Sequence, residues 1–369
     1  MFDFSWSEHT IGNVLYCTIL YALFVALYYG RYVNKALLQE GKTNYTLMFG
    51  ALLLIITACI DTDWFHYRDM VREYDLSIGA LNYGEPVYRG IVKLVGKNYL
   101  LFRVVVWGSA FVMAVTAFRR FNINLNTAVF FLIAVFLIKF NYGRATLGMA
   151  SYYLGLSFLL IPLKQRRFLG YLLAAVFLWG AYEFHHSMLL LIVLTPMVFI
   201  PIDRPFIAVI VLLALPFIAS FVNESLFLID RLENEYISNK MDNYLEREGG
   251  MANIFGIIQS VISYGAFIAP IIIDTVAISK NRKMIHTPIL KIYRIAISAA
   301  VIAVFFILLN LDSSLFVYRI LYMSFIPLTI ITVYLYEHHF LSRNNYKFIV
   351  LWGISAISFV LLHLVYEYR

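Results

Sequence analysis

The sequence is poor in charge and in cysteine, and each shortage excludes something. Only 14% of the 369 residues are charged, against 62% hydrophobic, with a mean hydropathy of +0.77. That is too little polar side chain to coat a globule in water. The two cysteines, Cys17 and Cys59, both lie inside apolar runs and lack metal-ligand spacing. They read as small core residues and carry no information about redox compartment. No phosphate-binding glycine loop, zinc spacing or Gly-x-Ser-x-Gly motif occurs, so nucleotide and metal cofactors have no support in the sequence. Low-complexity segments and repeats of fixed period are absent as well. The opening Met1-Phe-Asp-Phe-Ser-Trp-Ser-Glu-His9 lacks a basic segment. The first apolar run is therefore expected to stay as a span and not to be cleaved as a signal peptide.

What is present is a series of apolar runs of about 16–23 residues, the length at which a helix crosses a hydrocarbon layer. Helices are the only open-ended solution there, because lipid offers no partner to backbone N–H and C=O groups. The expectation is an all-α polytopic integral membrane protein, a single transmembrane domain over residues 1–369. About twelve spans are predicted, at 11–29, 45–60, 99–118, 125–140, 144–163, 168–183, 187–200, 206–222, 253–274, 294–311, 315–336 and 347–366. Several are short, which implies tilt or half-helices. With the N-terminus outside, the inner loops hold 16 of the 29 Lys and Arg, and 18 of the 22 acids fall on the outer side. This bias accounts for the net charge of +7 and removes the need for a nucleic-acid partner.

Two outer loops are long and read as ordered. The first, residues 61–98, alternates aromatic and charged residues. Within it Val87, Ile91, Leu94 and Val95 fall at helical spacing, and Pro86 suits a first helical position, so a short helix is predicted over 86–95 on the membrane face. The second, residues 223–252, is acidic and contains Gly249-Gly250 as a hinge. It reads either as a lid over a substrate or as a solvated helical cap.

The stretch Phe140-Asn-Tyr-Gly-Arg144-Ala-Thr-Leu-Gly-Met-Ala150 places an arginine at the head of an apolar run. A cation at a bilayer boundary either meets an anionic or polar group or snorkels to lipid phosphate. Arg319, in Asp312-Ser-Ser-Leu-Phe-Val-Tyr318-Arg319, either pairs with an acid such as Asp312 or joins Arg144 in a diphosphate clamp. Two further polar groups fall at outer ends of spans: Asp61 and Asp63 with adjoining aromatics, and Glu183-Phe-His185-His186-Ser187. Each histidine is a base, an orienter or a satisfied polar residue, and Asp63 and Glu85 are catalytic or merely solvated. Arg103 and Lys139 either extend a basic vestibule or snorkel. Aromatics on the same side, Tyr67, Tyr142, Tyr152 and Tyr182 among them, either stack on sugars or form an interfacial belt.

Asp63-Trp-Phe-His-Tyr67, Glu85-Pro86, Arg144 before small and apolar residues, Phe184-His185-His186-Ser187 and Tyr318-Arg319 follow one another in an order that resembles the EpsG-like branch of the Wzy-type oligosaccharide repeat-unit polymerases. The resemblance covers residues from about 55 to 335. It departs from the family pattern in having two adjacent histidines where a single His-x-Ser is expected, and His185 aligns by spacing. The resemblance implies a GT-C-like, metal- and nucleotide-independent glycosyltransferase of the bacterial inner membrane with its active site facing the periplasm. Such an enzyme joins oligosaccharide units carried on undecaprenyl diphosphate into O-antigen, capsule or exopolysaccharide, with a flippase and a chain-length regulator as candidate partners. Arg144 and Arg319 would hold the diphosphate, and Asp63, His185 or Glu85 would serve as base. Asp61, Tyr67, Arg103, Tyr142, His186 and Tyr318 would contact substrate. The rival readings are a lipid-linked oligosaccharide flippase or transporter, and a ligase-like or single-sugar lipid-dependent glycosyltransferase.

Overall fold

The computed structural model describes residues 11–33, 44–58, 71, 86–96, 98–141, 143–202, 254–308 and 320–367. Every regular element among them is helical. In chain order these are α1 (Ile11–Val33), α2 (Asn44–Thr57), α3 (Pro86–Val95), α4 (Tyr99–Arg120), α5 (Leu125–Phe140), α6 (Gly143–Leu160), α7 (Arg167–Phe184) and α8 (Met188–Leu194). A 3₁₀ helix (Thr195–Phe199) follows, then α9 (Ile254–Asn281), α10 (Thr287–Leu308), α11 (Phe325–Glu337) and α12 (Arg343–Glu367). Gly12–Val33, Tyr99–Arg120 and Arg343–Leu362 are long and apolar enough to cross a membrane, and shorter apolar helices include Tyr45–Thr57, Leu125–Phe140 and Ala145–Leu160. The protein is an all-α membrane protein.

The predicted spans meet helices throughout the described residues, while 206–222 and the loop 223–252 lie outside them. The clearest difference is around residue 280. Hydropathy ends one span at 274 and begins the next at 294, but α9 runs on to Asn281 and α10 begins at Thr287. Hydropathy marks where side chains favour lipid, whereas a helix continues for as long as its backbone bonds are favourable, so Lys280, Lys291 and Arg294 sit on helices and not in a loop. Asp274, placed by hydropathy at an inner end, is fully buried about two turns inside α9.

The chain divides into two compact units, residues 1–193 with 329–369, and residues 194–328. In the first unit α5 is the axis. Its residues are apolar on all sides and nearly all are buried, as a helix enclosed by neighbours requires. Glycines let those neighbours close in. A Cβ on Gly50 of α2 would meet Val129 Cγ1 at 2.6 Å, and one on Gly353 of α12 would meet Val135 Cα at 2.7 Å. The α1 helix docks through the Tyr21 hydroxyl, which donates to Ala134 O at 3.0 Å. A second small-residue seam joins α6 to α7: Gly148 faces Ala181 O, Ser151 Oγ donates to Phe177 O at 2.7 Å, and Gly155 faces Ala174 O. Without a hydrophobic drive between helices in lipid, this close backbone approach is what holds them together.

In the second unit α10 packs on the 3₁₀ helix, where Arg294 Nη1 donates to Val198 O at 2.6 Å and Lys291 lies 5.2 Å from the Phe199 ring centroid. Thr275 of α9 and Tyr293 of α10 share a short hydroxyl contact.

Candidate functional site

The helix directions in the first unit sort its polar residues into two ends. At one end lie the C-termini of α1, α4 and α6 and the N-termini of α2, α5, α7 and α12. The Tyr32 hydroxyl meets Thr46 Oγ1 at 2.7 Å, Tyr336 donates to Val33 O at 3.1 Å, and Arg120 Nε donates to Ser157 Oγ at 2.9 Å. The N–H of Asn124 donates to Glu337 Oε2 at 3.1 Å. Arg31, Arg119, Arg120, Lys164, Arg166, Arg167, Arg343 and Lys347 all fall at this end. It is the strongly basic end of the unit.

The opposite end gathers the C-termini of α2, α5 and α7 and the N-termini of α4, α6 and α8, and it carries the described candidates. Arg103, the fifth residue of α4, is only 3% exposed. Its Nη2 donates to the carbonyl oxygens of Ile55 and Ile56 at the end of α2. These carbonyls lie in the last turn of α2, at the negative end of its dipole, so a guanidinium is well matched to them. Arg103 therefore does not snorkel. Lys139 is likewise buried, near the end of α5.

Asn141 caps the end of α5, its N–H donating to Ile138 O and Lys139 O. Its side chain is fully buried, and Nδ2 donates to Thr57 O at 2.9 Å, the next carbonyl along α2. Asn141 stands inside the Phe140–Ala150 stretch, where the sequence pattern assigns it no role. The signal was an amide at the end of an apolar span, where only a hydrogen bond explains its burial. Thr146 Oγ1 then ties the first turn of α6 back to Lys139 O at 3.3 Å.

Of Arg144 the structure describes the backbone, at the second position of α6. Its level is set by the seam with α7. Gly148 lies beside Ala181, and Met188 contacts the same spot. One turn further out on these antiparallel helices come Arg144 and His185. His185 is the C-cap of α7, its N–H donating to Ala181 O at 3.1 Å, and its carbonyl accepts from Met188 N at 2.9 Å. The pair His185-His186 thus forms the turn into α8. His185 is half-buried, and the exposed His186 stacks on Tyr182 with ring centroids 4.7 Å apart. The α3 helix packs against α4 and α7, burying Val92 and Val95. Leu94, which shares the helical spacing of Val87, Ile91 and Val95, is 80% exposed, while Val92 is buried.

Asp61, Asp63, Tyr67, Glu85, Tyr142, Tyr318 and Arg319 lie outside the described residues. The structure thus brings Arg103, the first turn of α6 and the His185-His186 turn to one end of a single unit.

The sequence matches the EpsG family over residues 42–369. The protein belongs to the EpsG family. No curated protein and no solved structure matches it. Membership in the EpsG family, together with the apolar helices, supports a role in polysaccharide biosynthesis at a membrane. The matched residues include α2 and α4 to α8, the helices that build this polar end.

Proposed function

We propose that the protein is a repeat-unit polymerase that joins oligosaccharides carried on undecaprenyl diphosphate at the outer face of the inner membrane. The EpsG-family match across residues 42–369 carries this reading. The reading includes about twelve spans and a GT-C-like arrangement. Two further observations favour it. The basic end of the first unit fits the cytoplasmic side by the positive-inside rule. The opposite end holds the backbone of Arg144 and the two histidines at one level.

In the proposed reaction a hydroxyl at the non-reducing end of one unit attacks the anomeric carbon of the lipid-linked chain. A new C–O bond forms, the bond to the diphosphate oxygen breaks, and undecaprenyl diphosphate leaves. The hydroxyl proton passes to a base, for which Asp63, His185 and Glu85 are the candidates. Arg144 and Arg319 hold the diphosphate, where planar guanidinium groups meet developing negative charge with paired hydrogen bonds. Asp61, Tyr67, Tyr142, His186 and Tyr318 contact the sugars.

A deletion strain complemented with Arg144→Ala or Arg319→Ala tests the reading. Polymer should collapse to single units that accumulate outside, with protein level unchanged. Full-length polymer from both variants overturns the clamp. Accumulation of lipid-linked units inside the cell marks a flippase instead.

A further inference from the structure

We propose that Arg103 and Asn141 are positioning residues, which together hold the first turn of α6, and with it Arg144, at a fixed place relative to α2 and α4. The inference rests on the polymerase reading for its functional consequence.

Three consecutive carbonyls at the end of α2 are taken by two side chains from two other helices. Arg103 of α4 takes Ile55 and Ile56, and Asn141 at the end of α5 takes Thr57 at 2.9 Å. Asn141 lies three residues before Arg144, and Thr146 fastens the intervening turn to Lys139 O. The ends of α2, α4, α5 and α6 are therefore joined through one helix terminus.

Fold stability alone does not account for this arrangement. Arg103 Nε and Asn141 Oδ1 are buried without a hydrogen-bond partner among the described residues. Each such atom costs about 1–3 kcal/mol. An apolar side chain at Arg103 or Asn141 would leave α2 carbonyls without that donor, so part of its effect is on stability. What an apolar replacement does not supply is direction. The Asn141 bond sets the end of α5 against the last carbonyl of α2, and the Arg103 bonds set the start of α4 against the two before it, where apolar packing tolerates slippage. A displacement of about 1 Å in a group that stabilises the transition state is enough to slow turnover roughly a hundredfold.

The test uses the full-length protein in detergent or vesicles with undecaprenyl-diphosphate-linked repeat units, and compares Asn141→Leu, Arg103→Met and Arg103→Lys with Glu337→Gln. Glu337 makes the corresponding contact at the basic end. Asn141→Leu and Arg103→Met should lower kcat about 10- to 100-fold with KM within about twofold, since positioning acts on the transition state. Arg103→Lys keeps a cation on α2 and should recover part of the loss, and Glu337→Gln should leave kcat unchanged. The inference is overturned if Asn141→Leu and Arg103→Met turn over normally, or if their loss of kcat disappears at a temperature where they remain folded. Where even the wild-type protein makes no polymer from these units, the polymerase reading fails. In that case a cysteine pair at positions 57 and 143 tests the inference by itself. It should cross-link uniformly in the wild type and become heterogeneous in Asn141→Leu, and unchanged cross-linking overturns the positioning role.

Discussion

Gly148 of α6 lies against the carbonyl oxygen of Ala181 in α7, so closely that a Cβ there would meet that oxygen at 3.1 Å and Met188 Cγ at 2.8 Å. The methionine is flexible and can yield, but the carbonyl belongs to the helix backbone and cannot. This contact fixes the level of the α6 and α7 ends, one turn beyond which lie Arg144 and His185.

Enlarging residue 148 should therefore act on function through distance. Gly148→Ala is expected to shorten the polysaccharide ladder, and Gly148→Val to abolish it. Immunoblots should show protein still in the membrane. A full ladder from Gly148→Val would mean that the spacing of α6 and α7 does not matter.

Gly353 has a different role. A Cβ at this position would meet Val135 Cα, Cβ and Cγ1 at 2.7–2.8 Å, inside the contact between α12 and α5. Gly353→Ala should destabilise the fold by about 1–3 kcal/mol through overpacking. The apparent Tm in detergent should fall, and Val135→Ala should restore it only in part because the Cα remains in place.

The two histidines should separate on substitution. His185 is half-buried and closes α7, whereas His186 is exposed and stacks on Tyr182. His185→Gln is expected to lose most polymer. His186→Phe keeps the aromatic stack and should retain most of it, as judged from ladder intensity at matched expression. Equal loss from both would mean that His186 gives the sugars a polar contact that an aromatic ring alone does not replace.

Orientation is open to thiol labelling. With Cys17 and Cys59 replaced, Ser187→Cys should react with an impermeant maleimide in intact cells, and Arg166→Cys only after lysis. The reverse pattern would turn the basic end outward and remove the polar end from the periplasmic side.

Much was legible in the residues alone. Lipid admits few backbone solutions, so apolar runs of spanning length identify helices, and Pro86 with its apolar spacing marks α3. The order of motifs from Asp63 to Arg319 pointed to the family that the match over residues 42–369 supports. Arg103 shows the limit. As a cation near the head of a span it fits a vestibule, a lipid contact or a substrate contact, and nothing local distinguishes those from a partner 48 positions earlier. Asn141 finds its partner 84 positions away.

That this chain is helical, membrane-embedded and biased in charge follows from composition and run length, which act through solvation, residue by residue. Which helix end Arg103 and Asn141 hold, and that Gly148 levels α6 with α7, emerges from packing. Hydrogen bonds and backbone contacts between distant segments depend on how the helices pack, and no local pattern encodes that.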